Sequence, residues 1–207
     1  MKPLARGYIH QAAFFIAIGA CIILIAQSHG ARALFSTIIY SLTLTLLYGV
    51  SALYHCPTWS RGKYLLLRRI DHAAIFALIA GSATPICLLG LKGESGLRFC
   101  STLWAAAVIG MLIVIFWTDA PKWARAFLYV VIGWLAFPYF PEIKSSLGIT
   151  DLWLLLMGGI IYTVGALVYA LKRPNPFPRV FGYHEIFHIL IVIASGFHFS
   201  VIYNLAT

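Results

Sequence analysis

Seven apolar segments, each about 20 residues long, constrain the fold of this chain more than any other feature. They cover residues 8–27, 33–55, 72–91, 100–118, 124–141, 152–171 and 183–204. A helix of that length crosses the hydrocarbon core of a bilayer, where the backbone must satisfy its hydrogen bonds internally. The sequence therefore predicts an all-α membrane protein built as a bundle of seven transmembrane helices.

The composition agrees with a lipid environment. Only 10% of the 207 residues are charged and 61% are hydrophobic, whereas a soluble domain carries about a quarter charged residues. The connections are short and no change of composition divides the chain, so residues 1–207 are predicted to form one domain. The basic N-terminus followed by an apolar run resembles a signal peptide. That run is longer than a signal core, however, and no A-x-A-like cleavage site follows it, so we expect a retained first span.

The basic residues predict the orientation. The formal net charge is +9, but the basic residues form short clusters between apolar segments, which is typical of membrane topology signals rather than of nucleic-acid binding. No nucleic-acid partner is expected. An excess of basic residues marks the cytoplasmic side, so we predict the N-terminus inside and the C-terminus outside. Eleven fall on that side, namely Lys2, Arg6, Arg61, Lys63, Arg68, Arg69, Lys122, Arg125, Lys172, Arg173 and Arg179, against Arg32, Lys92, Arg98 and Lys144.

This orientation brings unusual polar residues from three segments to one membrane depth. Ser51 and His55 end the second segment, Asp71 precedes the third, and His184 and His188 begin the seventh. Residues four apart share one helix face. Three imidazoles with an open fourth position are a ligand set of catalytic zinc, which activates water for attack on a carbonyl. We predict that the three histidines bind zinc, that Asp71 manages the proton or orients a ligand, and that Ser51 hydrogen-bonds the substrate or the attacking water.

Alternative roles stay open for three of these neighbours. The string "HEIFH" matches H-E-x-x-H, in which the glutamate is a general base, so Glu185 is a second candidate for that role. Asp71 could instead pair with Arg68 or Arg69 at the membrane interface. Ser51 could simply pack one helix against another, as serine often does in membranes.

The other histidines and cysteines are weaker candidates. His198 follows His188 by ten residues, about 15 Å along a helix, so it cannot share the same ion and is expected to make a hydrogen bond in the outer half. His72 is expected to face a neighbouring helix. Cys56 is an alternative ligand, while the four cysteines lack the spacing of a zinc knuckle. No role is assigned to His10 and His29. Imidazole also suits copper, iron and nickel.

Several stretches resemble the hemolysin III family, the bacterial branch of the progestin and adipoQ receptors, which include the adiponectin receptors. They are "SALYH", "DHAAIFALIAGSATPICLL", "GWLAFPYF", "GGIIYTVGALVYALKRPNPFP" and "HEIFH…GFHF", between roughly residues 35 and 205. The resemblance implies a seven-helix bundle with zinc near its cytoplasmic end. It assigns Ser51 and His55 to the family's S-x-x-x-H, Asp71 to its third-helix aspartate, and His184 and His188 to its H-x-x-x-H. The acidic residue that often precedes the first helix is absent here.

The resemblance also implies kinship with alkaline ceramidases, and it links the chain to membrane lipid homeostasis and haemolysis. We therefore expect a zinc-dependent hydrolase of the bacterial inner (plasma) membrane that cleaves an amide or ester bond of a membrane lipid. Two alternatives remain at this point. One is a receptor-like regulator with a structural zinc ion that responds to a lipid or to the state of the membrane. The other is a pore-forming haemolysin.

Overall fold

A computed structural model describes residues 3–91 and 93–207. Lys2 and Lys92, which entered the charge count, lie outside the described residues. The helices are α1 Tyr8–Gln27, α2 Ala31–His55, α3 Arg61–Pro85, α4 Gly93–Phe116, α5 Lys122–Gly133, α6 Phe140–Ser146, α7 Ile149–Leu171 and α8 Tyr183–Ala206. A π-helical turn, Ile86–Gly90, extends α3, and a 3-10 turn, Trp134–Tyr139, joins α5 to α6.

Together these elements make seven spans that are long and apolar enough to cross a membrane, with α3 and its π turn as the third and α5 to α6 as the fifth. The prediction of an all-α, seven-helix membrane protein is confirmed. The predicted orientation of the termini stays a prediction.

Two predicted helix boundaries were wrong in an instructive way. The third helix was expected to begin at residue 72, but α3 begins at Arg61, so Asp71 lies inside a helix instead of before one. Hydropathy marks only the part of a helix that lipid accepts, and α3 continues beyond it with a mixture of basic residues and leucines, most of which are good helix formers. The fifth span, expected as one helix over 124–141, contains the 3-10 turn because Pro138 has no backbone N–H to donate.

The third span lies at the centre of the bundle. In the third span, 72% of the residues of the apolar stretch are buried, whereas in each of the other six spans the share is 50% or less. It packs between α2 and α4, while α8 packs against α7, α1 and α3. The outward faces of the surrounding helices carry exposed apolar side chains such as Phe15, Phe116 and Phe127, as expected of surfaces that contact lipid.

Small residues set the close approach of α3 to its neighbours. A Cβ atom at Gly81 would lie 2.0 Å from Thr43 Oγ1 on α2, and one at Gly110 on α4 would lie 2.5 Å from Phe76 on α3. In lipid, helix association depends on such packing because no hydrophobic force draws one helix to another. The α2–α3 contact holds Asp71 against the end of α2.

One end of the bundle, which we call the basic end, consists of the segment before α1 and the α2–α3, α4–α5 and α7–α8 connections. Two backbone hydrogen bonds close it, from Leu4 N to Arg179 O and from Ala5 N to Val180 O, both 3.0 Å. The segment before α1 is therefore attached to the α7–α8 connection, across the end at which α8 begins.

Candidate metal centre

Three histidine rings meet at the basic end of the bundle. His55 is the last residue of α2, and His184 and His188 lie on one face of the first two turns of α8. One ring nitrogen from each lies within 4.8 Å of the other two. The Nε2 atoms of His55 and His184 are 3.2 Å apart, and the ring centroids of His184 and His188 are 4.6 Å apart. The sequence-predicted ligands are thus brought together by helices more than a hundred residues apart.

The donor set fits a zinc ion. Tetrahedral coordination at about 2.0–2.1 Å places two nitrogen ligands about 3.3 Å apart, close to the 3.2 Å between His55 and His184. The Nδ1 atoms of His184 and His188 are buried and have no hydrogen-bond partner within the described part of the chain. A buried polar atom without a partner is costly; in His188 it leaves a ring nitrogen open to a ligand, whereas in His184 the nitrogen beside His55 is Nε2 and not this atom. That a metal binds here stays a prediction.

Asp71 lies beside the histidines on α3. Its Oδ2 atom is 3.9 Å from His55 Nε2, and the residue is buried. The alternative in which Asp71 pairs with a basic neighbour on its own helix does not occur. Arg68 instead donates from Nη2 to the carbonyl oxygen of Thr118 at 2.8 Å, and Arg69 is exposed. The carboxylate therefore faces the three-histidine cluster without being tied to an arginine.

Ser51 is joined to a histidine to which the sequence assigned no role. His10 on α1 lies with its Nδ1 atom 2.8 Å from Ser51 Oγ. Its ring stacks on that of His188, with centroids 3.7 Å apart and planes 6° apart. His10 is outside the group of three donors, so it supports the cluster instead of completing it. The sequence does indicate the depth of His10, because α1 begins at the same end of the bundle as α8 and so places His10 at the depth of His184 and His188.

Glu185 is held by two other contacts. It forms an ion pair with Arg6 in the segment before α1, and its Oε2 atom accepts a hydrogen bond from Gly182 N at 2.8 Å. The second contact satisfies a free backbone donor at the start of α8. Only 1% of Glu185 is exposed. Both carboxylate oxygens of Glu185 thus make contacts that stabilise the start of α8, so this residue of "HEIFH" has a structural role.

The backbone of the N-terminal segment lies directly against the cluster. Gly7 has φ +92°, and a Cβ atom built there would lie 2.8 Å from both His55 Cβ and Cys56 Sγ. A side chain fits neither this space nor this left-handed conformation. Gly7 therefore allows the chain to cross the end of α2 at the position of a predicted ligand.

The remaining histidines and Cys56 lie away from the three donors. His198 Nε2 is 3.3 Å from the carbonyl oxygen of Leu155, which is the kind of hydrogen bond expected of it. His72 faces α7, with Nε2 3.4 Å from Tyr169 OH. Cys56 contacts Gln11 and is not part of the group. His29 is exposed between α1 and α2.

A cavity of about 300 Å³ begins at this cluster and runs into the bundle. Ser51, Asp71 and His188 line its polar end, whereas aliphatic and aromatic side chains such as Leu78, Phe99 and Ile143 line much of the rest. A largely apolar cavity with a few polar groups at one place is the usual form of a small-ligand site. The cluster is therefore accessible to a ligand from within the bundle.

Comparison with known proteins agrees with this architecture. The model of the family described as Haemolysin-III related matches residues 1–199. The chain is 33% identical over 198 residues to a Hemolysin-3 homolog of Bacillus subtilis (strain 168), covering 94% of this chain and 90% of the relative. It is 32% identical over 201 residues to Hemolysin-3 of Bacillus cereus, covering 96% and 89%. An Adiponectin receptor protein of Drosophila melanogaster is 28% identical over 183 residues, covering 76% and 39%. With its seven spans and a family match over nearly its whole length, the chain belongs to the Haemolysin-III related family.

Proposed function

We propose that this protein is a zinc-dependent hydrolase that cleaves an amide or ester bond of a membrane lipid. The observation that carries the proposal is the meeting of three buried imidazoles and one carboxylate at the polar end of a largely apolar cavity. His55, His184 and His188 would hold the zinc ion. When bound, zinc supplies a Lewis acid that polarises a carbonyl and makes water nucleophilic near neutral pH.

The proposed roles of the protein side chains follow from their positions. Asp71, whose Oδ2 atom is 3.9 Å from His55 Nε2, accepts a proton from the attacking water and returns it to the leaving group. Ser51 hydrogen-bonds the substrate carbonyl. It can do so when His10 Nδ1–H donates to Ser51 Oγ, because the hydroxyl proton is then available either to the neighbouring Asp71 carboxylate or to the substrate carbonyl.

The cavity supports a lipid as the substrate. Its apolar lining offers an acyl chain an exit from the polar end of the site into the interior of the bundle, while the bond to be cleaved stays near Asp71 and Ser51. We assign the protein to the bacterial plasma membrane. Support for that location comes from its seven spans and its relatives in two Bacillus species.

The test is turnover by the purified full-length protein in detergent micelles, with mass spectrometry of a panel of ceramides and ester lipids. We expect zinc-loaded wild type to release fatty acid. Asp71→Asn should retain zinc but lose about 10²-fold or more in rate, since it removes the proton acceptor. Asp119→Asn changes an exposed carboxylate at the basic end and should leave the rate unchanged. Equal rates in Asp71→Asn and wild type would contradict the proposal, as would a zinc-loaded wild type that cleaves none of the lipids.

A receptor-like regulator with a structural zinc ion is the second candidate. The observation in its favour is the closure of the basic end by the segment before α1, which shields the cluster from the adjacent aqueous phase. If the protein is such a regulator, lipids of the same panel would bind to it without being cleaved. Asp71→Asn would then change neither zinc content nor lipid binding. A pore-forming haemolysin has less support because much of the cavity lining is apolar; single-channel currents from the purified protein would reverse that ranking.

A further inference from the structure

A second polar site lies beside the histidine cluster, around a buried arginine that the proposed hydrolysis does not use. Arg125, in the first turn of α5, is only 5% exposed. Its Nη2 atom lies 3.3 Å from Tyr169 OH, while its Nε atom is buried and has no hydrogen-bond partner among the described residues. A guanidinium carries five N–H donors and stays charged in proteins. Burying such a cation without a counter-charge is costly.

The neighbours of Arg125 add positive charge. Lys122 donates to Tyr183 OH and lies over two aromatic rings, with Nζ 5.0 Å from the centroid of Tyr169 and 4.7 Å from that of Tyr183. Arg125 also contacts Tyr169, whose hydroxyl lies 3.4 Å from Nε2 of His72, a residue that lines the cavity. Two cations of α5 therefore lie at Tyr169, whose ring centroid is 5.8 Å from that of His184 in the histidine cluster.

No carboxylate forms an ion pair with them within the described part of the chain. Neither Lys122 nor Arg125 has an acidic oxygen within ion-pair distance; the carboxylate of Glu185 pairs with Arg6, and that of Asp71 lies beside His55. Asp119, the acidic residue in the preceding connection, is exposed and forms no ion pair with them. The site is thus built to receive negative charge from outside the chain.

The backbone reinforces this preference. α5 begins at Lys122 and α8 begins at Tyr183, and the side chains of these two residues are joined by a hydrogen bond. The N-terminus of α5 carries a partial positive charge that favours an anion, whereas the N-terminus of α8 already faces the carboxylate of Glu185. This adds to the unpaired guanidinium, which is the observation that points to a ligand.

We propose that Arg125 and Lys122, with the hydroxyl groups of Tyr169 and Tyr183, form a binding site for a phosphate group. A planar guanidinium binds phosphate oxygens through paired N–H donors, the ammonium acts as a point charge, and the two phenols donate further hydrogen bonds. The phosphate is either carried by a lipid headgroup or free in solution. This inference goes beyond the proposed hydrolase, because the site requires neither a metal ion nor a reaction.

Binding is measured on the purified full-length protein in neutral detergent, by the shift of thermal unfolding during titration at constant ionic strength. The probes are inorganic phosphate, dioctanoyl phosphatidylglycerol and, as the control with matched acyl chains, uncharged dioctanoylglycerol. We compare wild type with Arg125→Gln, Arg125→Lys, Lys122→Gln and Arg61→Gln. The last removes an exposed charge at the basic end and serves as the matched control.

We expect wild type to bind phosphatidylglycerol more tightly than dioctanoylglycerol. Arg125→Gln and Lys122→Gln should each weaken that binding about tenfold or more, because each removes a charge-assisted hydrogen bond. Arg125→Lys should lose less, and Arg61→Gln should match wild type. Binding of inorganic phosphate as well would indicate that the phosphate group suffices, and binding of the lipid alone would identify a headgroup as the source.

The proposal is overturned if wild type binds neither phosphate probe, or if Arg61→Gln weakens binding as much as the two site variants do. If Arg125→Gln fails to fold, Lys122→Gln decides the matter, because Lys122 is only half-buried at the edge of the site. Zinc content is measured in parallel. A loss of phosphate binding with zinc retained separates this site from the histidine cluster, and a loss of zinc in wild type bears only on the proposed hydrolase.

Discussion

His188→Ala is the most direct test of the metal centre. The residue is 2% exposed, and its ring contacts those of His10, His55 and His184. The substitution removes one of three nitrogen donors and leaves the other two in place. It also creates a cavity that lowers stability whether or not metal is bound. The informative quantity is therefore the difference in unfolding free energy with and without metal, in which the packing loss cancels.

The expected magnitude follows from the size of the ligand set. Structural zinc sites with four protein ligands contribute about 10–16 kcal/mol in apparent binding free energy, or about 3–4 kcal/mol per ligand. Loss of one ligand therefore raises the dissociation constant about 10²–10³-fold. At zinc about 1,000 times the wild-type dissociation constant, wild type gains about 4 kcal/mol of stability. At that concentration a variant weakened a thousandfold gains only about 0.4 kcal/mol.

The assay combines zinc per chain by mass spectrometry with thermal unfolding before and after a chelator. The matched control is His198→Ala, which removes a histidine from the same helix ten residues further on, where the ring contacts Leu155. We expect the control to retain both zinc and the chelator-sensitive stability. A His188→Ala protein that still holds one zinc ion per chain and responds fully to the chelator would refute the assignment of this ligand set.

Two further predictions concern the segment before α1. Gly7→Ala should lower zinc affinity more than Gly30→Ala does in the same metal titration. Both glycines have positive φ (+92° and +88°), but only the new Cβ atom at position 7 would contact His55. Equal affinities of the two variants would contradict a role for that contact. Glu185→Gln breaks the partly buried ion pair with Arg6 and should cost about 2–3 kcal/mol of unfolding free energy in a denaturation assay, between the values for exposed and for fully buried pairs. A loss below about 1 kcal/mol would mean that the pair is no stronger than an exposed one.

The convergence of His55, His184 and His188 was predictable from the sequence. The distribution of lysine and arginine places the ends of α2 and α8 at one end of the bundle, and the spacing of four puts both α8 histidines on one face. The position of Asp71 inside a helix was not predictable in the same way. Hydropathy shows where a helix leaves lipid but not how far it continues in water, so the extension of α3 back to Arg61 went undetected.

Arg125 shows a different limit of sequence reasoning. Near the end of an apolar segment, it was counted among the charges that orient the chain, and such residues normally lie at the membrane surface. Its burial depends on Tyr169, 44 positions later in the chain, and on the packing of α5 against α7. No local pattern contains that contact. For His10 the shared starting end of α1 and α8 indicates its depth, but no sequence pattern indicates that its ring stacks on that of His188.

The attachment of residues 4–7 to the rest of the basic end has a practical consequence. Leu4 and Ala5 bond to the α7–α8 connection, Arg6 pairs with Glu185, and Gly7 touches His55. A purification tag or fluorescent reporter fused in front of these residues would disturb the basic end, which is the part of the protein that the experiments probe. Fusion after Thr207, at the opposite end of α8, leaves the basic end unchanged and is the safer choice for measuring metal content or lipid turnover.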